Sequence, residues 1–285
     1  MLLSTGLVVP AISAASGPTL VVPFAAGGPS DQLARRIAQG IGRTTGDAAP
    51  AVLNVPGALA AYERFRAFSS GPDAAANGPV LLMADLDTAL VLREAAGVDI
   101  TAALAPIALL GHRPLAIYAA AGSADAQSAG LCAADGCMLI ATPSPASQRC
   151  AANLARQLGL PPSQVLSYRA TGAAVADLGM VPGSLLCMTA QSPTLAGAQG
   201  LRLLAWGSPT TLAGPAGPAP MLTDLGLQPL SPAFVGLFAG LDLAVDATDR
   251  LATAVHSVLA DPGFRSWAVD QGLLEPAPSL LITTD

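Results

Sequence analysis

The chain alternates short apolar runs with stretches in which apolar residues recur every three or four positions. Runs at 18–22, 51–54, 80–83, 106–110, 115–119, 137–141, 165–168, 184–188, 201–206 and 234–239 predict strands. Most are continuously apolar, as strands covered on both faces must be. Helical periodicity predicts helices over 29–43, 59–69, 87–96, 147–158, 171–179 and 246–260. In the first of these, Leu33, Ile37 and Ile41 form a core-facing stripe, while Arg35, Arg36, Gln39 and Arg43 take the other faces. Strands alternating with helices imply mostly parallel sheets flanked by helices, an α/β fold. Gly and Pro interrupt the apolar pattern every few residues, so no run is long enough to span a bilayer.

Gly122-Ser123 and the Pro/Gly-rich stretch 207–220 bracket a middle block. If that block is a lobe of its own, the other lobe is discontinuous: 18–116 plus 222–285 around 117–221. A chain of 285 residues can bury two such cores.

The stretch Val21-Val22-Pro23-Phe24-Ala25-Ala26-Gly27-Gly28-Pro29-Ser30-Asp31 reads as a buried strand, a glycine turn and a helix start. Pro29 suits the first helical position, which needs no N–H. Asp31 complements the positive end of the helix dipole. Free N–H groups and the dipole point the same way at such a junction, so it can cradle an anion; an ordinary strand-to-helix turn is the alternative. The kind of anion is narrowed by what is missing. A phosphate loop needs Gly-Lys-Ser/Thr, and the chain contains no lysine. The dinucleotide fingerprint needs a third glycine that Gly27-Gly28-Pro29-Ser30-Asp31 lacks. No cofactor is expected, and a small carboxylate remains the best guest.

Charge supports this. Arginine supplies all 13 basic residues against 19 acids, and the net charge of −6 without a basic run argues against nucleic acid. Catalysis finds little material. His256 lies within a helical pattern, His112 sits in the turn Gly111-His112-Arg113-Pro114, and no Gly-x-Ser-x-Gly elbow is present. Asp85 and Asp87 alone do not make an acid/base pair.

The opening stretch, followed by Leu33-Ala34-Arg35, resembles the signature of the substrate-binding proteins of tripartite tricarboxylate transporters, the Bug family. The likeness continues in Asn54-Val55-Pro56-Gly57-Ala58, Pro106-Ile107-Ala108-Leu109-Leu110, Arg113-Pro114, Tyr168, Asp177-Leu178, Gly183 and Leu201-Arg202-Leu203-Leu204-Ala205. It ends in Asp261-Pro262-Gly263-Phe264-Arg265 and Gln271-Gly272, so it runs from about residue 18 onward. The resemblance implies a type II periplasmic binding protein fold with the ligand between two lobes. It implies an exported solute-binding protein, a monomer that hands a small carboxylate to membrane transporter subunits or a sensor. Ligand contacts are expected from Phe24, Ala25, Ala26, Gly27 and Gly28 on one lobe, and from Ser144, Ser147, Tyr168 and Gln191 on the other. The chain also departs from the family. Pro143 and Pro145 each remove an N–H donor from the second-lobe loop, and Cys150 stands where histidine is frequent. A scaffold with decayed ligand binding, and a hydrolase or transferase using the same cleft, therefore stand as alternatives.

Two further features fit export. Met1 to Gly17 carries an apolar core, Leu2 to Ile12, and a small-residue region, Ser13 to Ser16, like a signal-peptide remnant without its positive start. Cys132, Cys137, Cys150 and Cys187 suit an oxidising compartment, with Cys132–Cys137 able to close a short turn. Their spacing matches no zinc pattern, the three possible pairings stay open, and buried free thiols are the alternative.

Overall fold

In the computed structural model the described residues are 17–70, 78–122, 131, 132, 137–181, 183–191, 193–208 and 219–275. The expected signal remnant, Met1 to Gly17, lies outside them except for Gly17. The strands are β1 (Thr19–Val22), β2 (Ala51–Asn54), β3 (Val80–Asp85), β4 (Leu104–Arg113), β5 (Leu115–Ala120), β6 (Met138–Ala141), β7 (Val165–Ser167), β8 (Ser184–Thr189), β9 (Leu201–Trp206) and β10 (Ala233–Gly240). The helices are α1 (Pro29–Thr45), α2 (Ala58–Ser70), α3 (Leu86–Ala96), α4 (Ile100–Ala103), α5 (Pro145–Gln157), α6 (Thr171–Leu178), α7 (Pro193–Ala198), α8 (Val245–Ala260) and α9 (Pro262–Asp270).

The strands form two five-stranded sheets, ordered β2-β1-β3-β10-β4 and β7-β6-β8-β5-β9. Each has the same plan. Three parallel strands stand side by side, then one antiparallel strand, then a fifth antiparallel to that one. The reversed strand in the first sheet, β10, arrives only after the whole second sheet is made. The chain leaves the first sheet at Pro114, and the expected boundary at 116/117 falls inside β5. Every expected strand and helix is present within a few residues; α4, α7 and α9 are additional.

Helices cover both faces of each sheet. Leu33, Ile37 and Ile41 of α1 pack with Leu251, Val255 and Val258 of α8 over Leu20, Val22 and Leu237. Gly40 permits the close approach of the two helices, because a Cβ there would collide with Val258. On the opposite face Tyr62 and Phe65 of α2 and Leu92 of α3 cover Val21, Leu82 and Ala84. The second sheet is covered by Cys150 and Leu154 of α5 on one side, and by Ala174 and Leu178 of α6 on the other. Burial on both faces is why its strands read as continuous apolar runs. All four cysteines are paired, Cys132 with Cys137 and Cys150 with Cys187, at Cα separations of 5.1 and 5.8 Å. The second bridge joins α5 to β8 inside the core. Among the described residues no helix is long and apolar enough to cross a membrane.

Candidate functional site

The two sheets are joined at one crossover, at the end of β4. In an open α/β sheet, ligands bind beyond the carboxyl ends of the parallel strands. β4 ends at Arg113 and β5 begins at Leu115, so one proline separates that edge of the first sheet from the matching edge of the second. The junction is well tied. The Ala190 N–H donates to the Pro114 carbonyl at 2.7 Å, and the Leu115 N–H to Ser208 Oγ at 2.8 Å. Gly207 donates to the Leu115 carbonyl and Leu230 to the Gly207 carbonyl, each at 2.7 Å. Loops 23–28 and 55–57 and the end of β3 at Asp85 lie at the carboxyl ends of the first sheet's parallel strands, and loops 142–144 and 168–170 and residues 190–191 at those of the second.

The first-lobe loop is shaped by Gly27, with φ at +84°, and by Gly28, the residue preceding Pro29 at the start of α1. Gly27 gives its N–H to Asp31 Oδ2 at 2.9 Å. The N–H groups of Ala25, Ala26 and Gly28 have no acceptor among the described residues. Phe24 is half-buried against the core, and its carbonyl accepts from Asn54 Nδ2 at 3.1 Å. Asp31 is buried and receives Arg35 Nε at 3.0 Å. The Arg35 hydrogen bond, helped by the Gly27 N–H, holds the carboxyl below its ordinary range against the opposing effect of burial. Part of the positive end of α1 is thus already met by Asp31, as the sequence placement suggested. Gly27→Ala is expected to destabilise the protein by about 1–2 kcal/mol through the left-handed φ alone, since a Cβ there meets nothing within 4 Å. Urea titration checks this, and a stability unchanged from wild type would show that the turn relaxes freely.

On the second lobe the expected contact residues are differently placed. Ser144 is exposed and caps α5, its hydroxyl accepting from the Ser147 N–H at 3.1 Å. Ser147 is fully buried: its hydroxyl donates to the Cys187 carbonyl and accepts from the Thr142 N–H at 2.8 Å. Tyr168 donates its hydroxyl to Asp177 Oδ2 at 2.7 Å, and that bond raises the phenol's pKa. Gln191 donates its N–H to the Tyr118 hydroxyl at 3.0 Å, while its Oε1 is buried without a partner among the described residues. The structure thus brings Ser144 and Gln191 to the loop edge, and turns the hydroxyls of Ser147 and Tyr168 to partners within their own lobe.

Four charged residues at this seam escaped the sequence reading as site residues. Asp85 caps α3, its Oδ1 accepting from the Thr88 N–H and hydroxyl, each at 2.7 Å. Burial pushes the Asp85 carboxyl up, with the Thr88 bonds and the Arg113 charge opposing. Asp87, two residues on, holds Arg149 of α5 bidentately: Nε to Oδ1 at 2.8 Å and Nη2 to Oδ2 at 3.2 Å. Arg149 also donates to the Ser231 carbonyl at 3.3 Å. This fork–fork pair links the helix after β3 to the helix after β6, one from each sheet. Arg113 is buried at the junction itself. The available signal was composition: only 11% of the chain is charged, so charges at strand ends stand out.

His112 is buried against Phe234, with ring centroids 5.9 Å apart, and loss of solvation lowers its pKa. His256 is exposed on α8, 2.7 Å from the Ala252 carbonyl. No cluster of metal-ligating side chains occurs among the described residues.

Solved structures share this architecture. The periplasmic binding protein BugD matches with a TM-score of 0.66 and 23% identity over 90% of this chain and 87% of its own. MatC from Rhodopseudomonas palustris, with bound malate, matches at 0.66 and 23% over 93% and 91%. A second R. palustris protein, with adipate, matches at 0.67 and 17% over 92% and 88%. The chain has the two-lobed α/β fold of periplasmic binding proteins, and its structural neighbours are of the kind that the sequence motifs indicated. No protein-family model and no curated protein matches it.

Proposed function

We propose that the protein is a divergent, exported solute-binding protein of the tripartite tricarboxylate transporter type, which captures a small organic acid between its lobes. The observation that carries this reading is the glycine turn at the start of α1, where the N–H groups of Ala25, Ala26 and Gly28 have no acceptor among the described residues. Malate in MatC and adipate in the second R. palustris protein point to the class of acid. In this reading each sheet with its helices is one lobe, and closure about the junction at Pro114 sequesters the ligand. The protein then acts as a monomer in the periplasm, delivering the acid to membrane subunits or a sensor.

A thermal-shift panel of malate, succinate, adipate, aromatic acids and amino acids tests this. At a hundredfold excess over Kd, a ligand bound only by the native state adds about 2.7 kcal/mol of stability. A raised midpoint with at least one acid, recovered unchanged afterwards, is the expected result. Conversion of the acid would instead favour a hydrolase or transferase. The second reading, a scaffold without ligand, draws on the hydroxyls of Ser147 and Tyr168 being satisfied within their lobe. Silence across the panel would favour it.

A further inference from the structure

Arg113 is the last residue of β4, where the chain leaves the first sheet for the second. It is 8% exposed and is the one arginine buried among the described residues. Its Nε and Nη2 are buried with no hydrogen-bond partner among those residues. A guanidinium keeps its proton in proteins, so this is a lasting charge stripped of water. Among the described residues no carboxylate pairs with it. Asp85, at the end of β3, lies within electrostatic reach. Its Oδ1, however, is held by Thr88, and no ion pair joins the two residues among those described. A buried, unpaired cation is costly, and such strain is retained where function needs it.

Its neighbourhood repeats the pattern. Leu115 pairs with Thr189 in the antiparallel β5–β8 ladder, and the next rung is the Ala190 N–H on the Pro114 carbonyl. Gln191 follows Ala190 in the chain as Arg113 precedes Pro114, so both flank this hydrogen bond. Gln191 Oε1 is also buried without a partner among the described residues. Two polar side chains unsatisfied among the described residues thus flank the Pro114–Ala190 hydrogen bond.

We propose that Arg113 is a ligand-binding residue that takes a carboxylate of the bound acid at the lobe junction, beside Gln191. This rests on the solute-binding reading and makes it more specific. Three inter-strand spacings, roughly 14 Å, separate the ends of β1 and β4, so Arg113 is a second anion-receptive point apart from the N–H groups at 25–28. An acid with two carboxylates can use both; the first meets the α1 loop and the second meets Arg113.

Calorimetric titration of wild type and Arg113→Met with adipate, malate and hexanoate tests the assignment. Hexanoate has adipate's chain length and one carboxylate fewer. Wild type is expected to favour adipate. The variant is expected to lose about ten- to hundredfold in adipate affinity, with hexanoate little changed, as removal of a charge-assisted contact predicts. Its ligand-free melting temperature is expected to hold or rise, because a buried unpaired charge is gone, whereas a purely structural arginine would lower it. Should Arg113→Met not fold, Arg113→Lys keeps the charge without the fork and is expected to show an intermediate loss. Wild-type-like adipate affinity in the folded variant overturns the role of Arg113 alone. An equal loss for adipate and hexanoate overturns the second-carboxylate role. Absence of binding by the wild type to any of these acids overturns the inference together with the solute-binding reading for them.

Discussion

Arg149→Ala is expected to lower folding stability by about 3 kcal/mol and to loosen the two lobes from each other. The size follows from the geometry of the pair it breaks. Asp87 is only 4% exposed in its side chain, and Arg149 grips both its oxygens. Removing one partner of a buried pair typically costs roughly 3–5 kcal/mol, because the remaining charge stays buried unpaired. Arg149 is 21% exposed, so water enters and the low end applies. The functional consequence follows from where the pair sits. It ties α3 to α5, and through the Ser231 carbonyl it also ties α5 to the segment entering β10. A contact that spans the seam favours one lobe arrangement over all others, and a ligand bridging the lobes benefits from that preorganisation. Acid affinity should therefore fall although Arg149 itself is committed to Asp87. Urea titration, solution scattering and calorimetry read the three effects separately. An Asp87→Ala/Arg149→Ala double variant that is no more stable than the sum of the single losses would remove the pair's coupling and with it this account.

How much of this was legible in the sequence differs between the fold and the site. Strands were readable because each sheet is covered on both faces, so runs such as Leu20-Val21-Val22 and Leu139-Ile140-Ala141 had to be apolar throughout. α4, of four residues, and α7, of six, are too short to show a period. α9 did carry local signals, Asp261 accepting from the Phe264 N–H and Pro262 at its first position, which the family-like reading of that stretch passed over. The first site loop was legible because Gly27-Gly28-Pro29 marks a helix start chemically; the helix after the second, expected from 147, begins at Pro145 with Ser144 as its cap. Partner choice was not. Tyr168 reaches Asp177 and Ser147 reaches the Cys187 carbonyl only because β7, α6, α5 and β8 pack as they do. Asp87 and Arg149 are 62 residues apart, and no local pattern announces such a pair. Arg113 was visible only as an arginine near a proline; its isolation is a property of the folded junction.

Loss of the Cys150–Cys187 bridge is expected to have a comparable effect, and to reach the ligand loop as well. The bridge closes 37 residues, for which the chain-entropy model gives about 4 kcal/mol, against about 2 kcal/mol for the five-residue Cys132–Cys137 closure. Position adds to length. Both Cys150 and Cys187 are fully buried, and the Cys187 carbonyl is the acceptor of the Ser147 hydroxyl that in turn holds the Thr142 N–H. The bridge, that hydroxyl and the start of α5 form one fixed unit behind loop 142–144. Breaking it frees the α5 N-terminus from β8, so the Cys150→Ala/Cys187→Ala variant should melt lower and bind its acid more weakly. The Cys132→Ala/Cys137→Ala variant, altered at the amino end of β6 and so away from loop 142–144, should lose less stability and keep its affinity. Because the inner sulfurs are shielded, reductant should act on native protein at the Cys132–Cys137 bridge first, with Cys150 and Cys187 reacting only as the lobe opens. Thiol titration during a urea series separates the two events. Equal stability losses in the two double variants, or thiols released together from the native protein, would show that the inner bridge is not the staple of this lobe.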